Sequence, residues 1–136
     1  MSNVLITGAG GYLGSVLVPA LLFTGHQVTA VDTFGHGANS LAGCCAQDGF
    51  TPIRGDARDE RLMLPLLKTH DIVIPLAAIV GAKACDNDKT AAETTNFGAV
   101  KMLVDRLSVN QALIIPNTNS GYGIGGEAEC TEESPL

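Results

Sequence analysis

The chain has no tryptophan, only 4% aromatic residues, and few charges: Asp, Glu, Lys and Arg make up 16% of its 136 residues. Cations are the scarcer sign, eight Lys and Arg against fourteen Asp and Glu, for a net charge of −6. That deficit argues against a nucleic-acid surface, because neutralising a run of phosphates takes an excess of Lys and Arg. No apolar run approaches the ~20 residues that cross a bilayer. Met1-Ser2-Asn3 has neither the basic start nor the cleavage site of a signal peptide. The four cysteines, at 44, 45, 85 and 130, make no C-x-x-C pair, and adjacent cysteines suit ordinary disulfide geometry poorly. Reduced thiols, no metal site, no membrane or nucleic-acid partner and a cytoplasmic location are the expectations. Apolar residues, by contrast, are plentiful at 46%. The length suits one domain with a real core.

The apolar runs fall into an alternating order. Asn3 to Thr7 reads as a short buried strand. Tyr12 to Phe23 carries apolar residues at helical spacing, with Pro19 inside it as a possible kink or early end. A second strand is predicted over Gln27 to Val31, closed by Asp32, and Gly35 to Gly49 reads as a loop with at most a short helix. Thr51 to Arg54 is a brief third strand. Asp59 is placed to cap a helix through Leu67. Asp71 to Leu76 is a continuous apolar run, as in strands buried on both faces. One long helix is predicted over Ala91 to Leu107, then a fifth strand over Ala112 to Ile115. Such alternation implies an α/β fold, a parallel sheet wound on both faces with right-handed crossovers.

Between the first strand and the first helix lies T-G-A-G-G-Y-L-G, residues 7–14. The strict G-x-G-x-x-G fingerprint fails, because counting from Gly8 its last position is Leu13. A Walker A loop fails too, with no Lys-Ser or Lys-Thr following. The spacing that fits is G-x-x-G-x-x-G, at Gly8, Gly11 and Gly14. Gly8 permits a tight turn, Gly11 lets backbone N–H groups approach a pyrophosphate, and Gly14 lets the helix lie close to the strand. Asp32, roughly 20 residues beyond, stands where a carboxylate can accept hydrogen bonds from an adenosine ribose and repel a 2′-phosphate. With no arginine nearby to reverse that preference, NAD is expected over NADP. His36 is a candidate for the rim of the adenosine pocket.

These segments resemble the extended short-chain dehydrogenase/reductases, in particular the NAD-dependent nucleotide-sugar epimerases and dehydratases, and the likeness runs along the whole chain. T-G-A-G-G-Y-L-G is similar to that family's T-G-x-x-G-x-x-G, which implies that the backbone at Tyr12 and Leu13 touches the pyrophosphate. G-D-A-R-D at 55–59 resembles G-D-x-R-D, implying a hydrogen bond from the adenine amino group to Asp56, with the Ala57 backbone beside it. P-L-A-A at 75–78 resembles H-L-A-A, with proline in place of the usual histidine, and implies that Leu76, Ala77 and Ala78 lie under the cofactor. N-F-G-A-V-K-M-L at 96–103 resembles N-x-x-G-T-x-x-L, making Asn96 a structural and cofactor-side residue. P-N-T-N-S-G-Y-G at 116–123 resembles S-S-x-x-V-Y-G, which aligns Thr118 with the catalytic hydroxyl and leaves Ser120 as second choice.

The resemblance implies a Rossmann-like sheet in strand order 3-2-1-4-5, filling residues 1–136 as an NAD-binding domain. It implies a nucleotide-sugar substrate whose hydroxyl is transiently oxidised by bound NAD. A reductase of another alcohol on the same scaffold, or a non-catalytic dinucleotide sensor, are the alternatives. The family's chemistry needs a Tyr-x-x-x-Lys pair, in which the lysine lowers the tyrosine pKa. The only tyrosines here are Tyr12 and Tyr122, and neither has a lysine four residues on. The expectation is therefore a fragment lacking the catalytic helix and the substrate-binding part, inactive alone. Its fifth strand would be an uncovered apolar edge favouring a homodimer or other self-association.

Overall fold

Val4, Leu5 and Ile6 are all fully buried. The strand they form, β1 (Asn3–Thr7), lies at the centre of a five-stranded sheet in a computed structural model that describes residues 1–37, 39–118 and 131. The other strands are β2 (Gln27–Asp32), β3 (Phe50–Arg54), β4 (Ile72–Pro75) and β5 (Ala112–Leu113). All pair in parallel, in the order β3-β2-β1-β4-β5. This is the Rossmann-like winding that the motifs imply.

Alternation along β1 divides the core. Val4 and Ile6 pack with Val18 and Leu22 of α1 (Tyr12–Phe23), and with Leu41 and Cys44 from a 3₁₀ turn at Asn39–Cys44. Leu5 faces the other way, onto Met63 and Leu67 of α2 (Glu60–Leu67) and Leu103 of α5 (Val100–Arg106). With both faces covered, the strands have no polar side to show, which is why β1 and β4 read as unbroken apolar runs. Cys44 belongs to this core, and burial pushes its thiol pKa up, away from the reactive thiolate.

Local signals account for most boundaries. Pro19 does not end α1, which continues to Phe23, and Gly25, at φ 86°, follows its last turn. Asp59 caps α2, its side chain accepting the Arg61 N–H at 2.9 Å.

Two expectations need correction. The predicted helix Ala91–Leu107 is not one regular helix. It begins at α4 (Lys89–Glu93), widens into a π-turn at Thr94–Ala99, and ends as α5. In that widened stretch the Thr94 hydroxyl donates back to the Thr90 carbonyl at 2.8 Å, a competition with regular helix bonding. A short helix before it, α3 (Ala82–Asn87), has no buried residue and so leaves no periodic apolar trace in the sequence. The fifth strand is also shorter than expected, pairing only through Ala112 and Leu113, although the Ile114 N–H still donates to the Val73 carbonyl at 3.0 Å. Ile114 and Ile115 are half-exposed along this edge.

Gly14 shows how tightly α1 is seated. A Cβ there would lie 2.0 Å from the Ala9 carbonyl oxygen, backbone that cannot step aside. Gly14→Ala is expected to destabilise the fold by about 1–3 kcal/mol, read as a lower urea midpoint with an unchanged slope; an unaltered midpoint would contradict this packing.

Candidate functional site

The carboxyl ends of β1 to β4 surround a cavity of about 290 Å³. It sits at the point where strand order reverses between β1 and β4, where open α/β sheets hold their ligands. Gly8 begins it in a left-handed conformation, φ 68°, and a Cβ there would stand 2.4 Å from the Ala77 backbone nitrogen. Only glycine lets the turn after β1 lie against the turn after β4 this closely.

The next peptides are held from two sides. The Gly10 N–H donates to Asp32 Oδ2 at 2.9 Å, and the Phe34 N–H donates to Asp32 Oδ1 at 2.6 Å. The Ser40 hydroxyl donates to the Gly10 carbonyl at 2.8 Å. Gly11 closes the turn with its N–H on the Gly8 carbonyl at 3.1 Å and serves as N-cap of α1. That cap supplies no side-chain acceptor, and the first turn of α1 contains no acid. The N–H groups of Tyr12 and Leu13 have no hydrogen-bond partner among the described residues. α2 and α4 differ, for Asp59 and Asp88 each accept a backbone N–H at their starts. A bare helix start beside a glycine turn offers donors and a positive dipole end to an anion.

Of the residues singled out in the sequence, Gly8, Gly11, Asp32, Asp56, Ala57, Leu76, Ala77 and Ala78 all line this cavity, as does His36. Gly14, Tyr12, Leu13 and Asn96 stand outside its lining. Gly14 seats the helix, and the Tyr12 side chain is 87% exposed. Asn96 works through its neighbour: it accepts the Ile79 N–H and donates to the Ile79 carbonyl, both at 2.8 Å, and Ile79 is a wall of the cavity. Thr118 also lies outside the lining, exposed, with its N–H donating to Asn117 Oδ1 at 2.8 Å. Ser120 and the Tyr122-Gly123 pair fall outside the described residues.

Arg58 and Thr95 line the cavity without having been assigned a role from sequence. Arg58 shares this cavity with Asp32. Its Nε lies 3.0 and 3.1 Å from the two Asp56 oxygens, its Nη2 donates to Oδ2 at 2.6 Å, and its Nη1 donates to Thr94 Oγ1 at 3.2 Å. Arg54 is a second arginine brought close by folding, its Cα paired with that of Asp32 across β2 and β3. Neither was visible from chain separation. The Arg58 hydrogen bonds hold the Asp56 carboxyl below the usual carboxylate range.

The chain belongs to the NAD-dependent epimerase/dehydratase family, whose model matches residues 4–136. NAD is thus the cofactor its family is defined by. Among curated relatives, the UDP-N-acetyl-alpha-D-glucosaminuronate decarboxylase of Bacillus cytotoxicus is 34% identical over 123 residues, covering 89% of this chain and 38% of that protein. A solved UDP-N-acetylglucosamine 4-epimerase from Methanobrevibacter ruminantium superposes with a TM-score of 0.86 at 25% identity, over 99% of this chain and 44% of its own. The UDP-glucuronic acid 4-epimerase of Bacillus cereus, solved with a UDP-sugar and NAD, gives 0.84 at 27% identity, over 98% and 45%. The chain thus spans less than half the length of each of these relatives.

The Asp56–Arg58 pair yields a pH prediction. Because the folded-state pKa of Asp56 is depressed, its contribution is present above the unfolded carboxylate pKa of about 3.9 and is lost as pH falls through the folded value. Asp56→Asn is therefore expected to lower the melting temperature at pH 6, with the gap to the unsubstituted chain closing on acidification below pH ~4. A gap that stays constant would show that the loss does not come from the ionised carboxylate.

Proposed function

We propose that these residues form the cofactor-binding portion of an NAD-dependent nucleotide-sugar epimerase or dehydratase. The observation that carries this reading is the meeting in one cavity of the glycine turn, up to the N-cap Gly11 of the uncapped helix α1, and the Asp32 carboxylate. A dinucleotide needs what these supply in that order: donors for its pyrophosphate, from the glycine turn and helix start, then an acceptor for its ribose. Tyr12 and Leu13 offer the unpartnered N–H groups. Asp32 spends one hydrogen bond per oxygen on backbone, leaving lone pairs for ribose hydroxyls. The site therefore fits NAD.

When bound, NAD supplies a hydride acceptor for one ring carbon of the sugar. Leu76, Ala77 and Ala78 form an apolar floor beneath that half of the site. Asn96 fixes the floor's far end through Ile79. Thr118 steadies the substrate hydroxyl, or the ketone formed from it, by hydrogen bonding. The sugar nucleotide is assigned by analogy with the UDP-sugar relatives. The 136 residues include no Tyr-x-x-x-Lys pair, so by themselves they hold the cofactor without turnover, and the half-exposed Ile114 and Ile115 on the β5 edge favour self-association.

Calorimetric titration tests the assignment. NAD is expected to bind and NADP to bind more weakly, since Asp32 repels a 2′-phosphate; a preference for NADP would contradict the role of Asp32. Asp32→Ala removes a charged acceptor, which is worth roughly tenfold or more in affinity for NAD, and it is expected to erode the discrimination as well. An unchanged binding profile would take Asp32 out of the site.

A further inference from the structure

Resting on that nucleotide site, we propose that Arg58 is the platform against which the adenine base of the cofactor stacks. The order of strand ends sets the direction in which the ligand lies. The pyrophosphate belongs over the glycine turn after β1 and the ribose at Asp32 on the end of β2. The base then continues toward the end of β3, where Gly55, Asp56, Ala57 and Arg58 line the cavity. A purine wants a flat partner there. Among the described residues lining the cavity there is no Phe, Tyr or Trp, and the only ring belongs to His36. No hydrogen bond among the described residues fixes that imidazole.

Arg58 is flat and is held. Each of its three guanidinium nitrogens donates to protein: Nε and Nη2 to Asp56, Nη1 to Thr94. Thr94 is itself fixed by donating its hydroxyl to the Thr90 carbonyl at 2.8 Å, at the start of the π-turn whose Thr95 also lines the cavity. With the edge of the guanidinium engaged on two sides, its faces are what remain for a ligand, and a guanidinium face stacks well on an aromatic ring. The pinning also means that little side-chain freedom is lost when the base arrives. Asp56 then has two tasks, offering an edge acceptor and orienting the plane.

Stacking on a face is indifferent to which purine is present, whereas reading an edge is not. Kd values are therefore to be measured for NAD, for nicotinamide guanine dinucleotide and for nicotinamide mononucleotide, which has no purine. Arg58→Ala is expected to weaken both dinucleotides by a similar factor, roughly fivefold, and to leave the mononucleotide unchanged. Arg58→Lys keeps a cation beside Asp56 but has no plane, so it is expected to show the same loss in a chain that remains folded. A loss confined to NAD would mean that Arg58 acts only by positioning Asp56, and would overturn the proposal. So would variants that bind both dinucleotides like wild type. Failure of the unsubstituted chain to bind NAD would overturn the cofactor assignment itself, a different outcome.

Discussion

The architecture of the site depends on one backbone contact, Gly8 against Ala77. It joins the turns that leave the two central strands, at the place where the sheet changes direction. Every other part of the cavity is measured from it. Gly8 bends the chain so that Gly10 reaches Asp32 on one neighbouring strand, while Ala77 continues into Ala78 and Ile79 on the other. A side chain at position 8 would push the turns apart and would separate the phosphate end of the cavity from its floor.

Around that contact the molecule uses buried apolar layers for strength and hydrogen bonds for placement. The two faces of the sheet are filled by aliphatic side chains that carry no directional information. Direction comes from a small set of polar ties: Asp32 to Gly10 and Phe34, Ser40 to Gly10, Asn96 to Ile79, and Arg58 to Asp56 and Thr94. Asp32–Gly10, Ser40–Gly10 and Arg58–Thr94 join segments that follow different strands, while the others brace the segment after a single strand, so the cavity wall is knitted at its rim while the core supports it from below.

Much of this is legible in the sequence, for identifiable reasons. β1 and α1 have the extents that the pattern predicts, because an unbroken apolar run followed by glycines and a helical period admits little else. The strand order follows from alternation and crossover handedness together with the family likeness. The π-turn is different. It coincides with polar contacts, a threonine bonding back to its own helix and an asparagine reaching across to Ile79, and neither leaves a mark on apolar periodicity. α3 is hidden because nothing in it is buried. Arg54 was invisible for a third reason: it meets Asp32 only through sheet register.

Asp32 joins two properties that are usually discussed apart. The same carboxylate that would select among dinucleotides also holds Gly10 and Phe34 in place. A lineage drifting toward a phosphorylated cofactor could not simply trade this acid for a neutral or basic residue, since the glycine loop would lose its anchor in the same step. A replacement anchor has to arise first, or simultaneously. Any dinucleotide preference that Asp32 sets is thereby tied to the scaffold through two backbone amides.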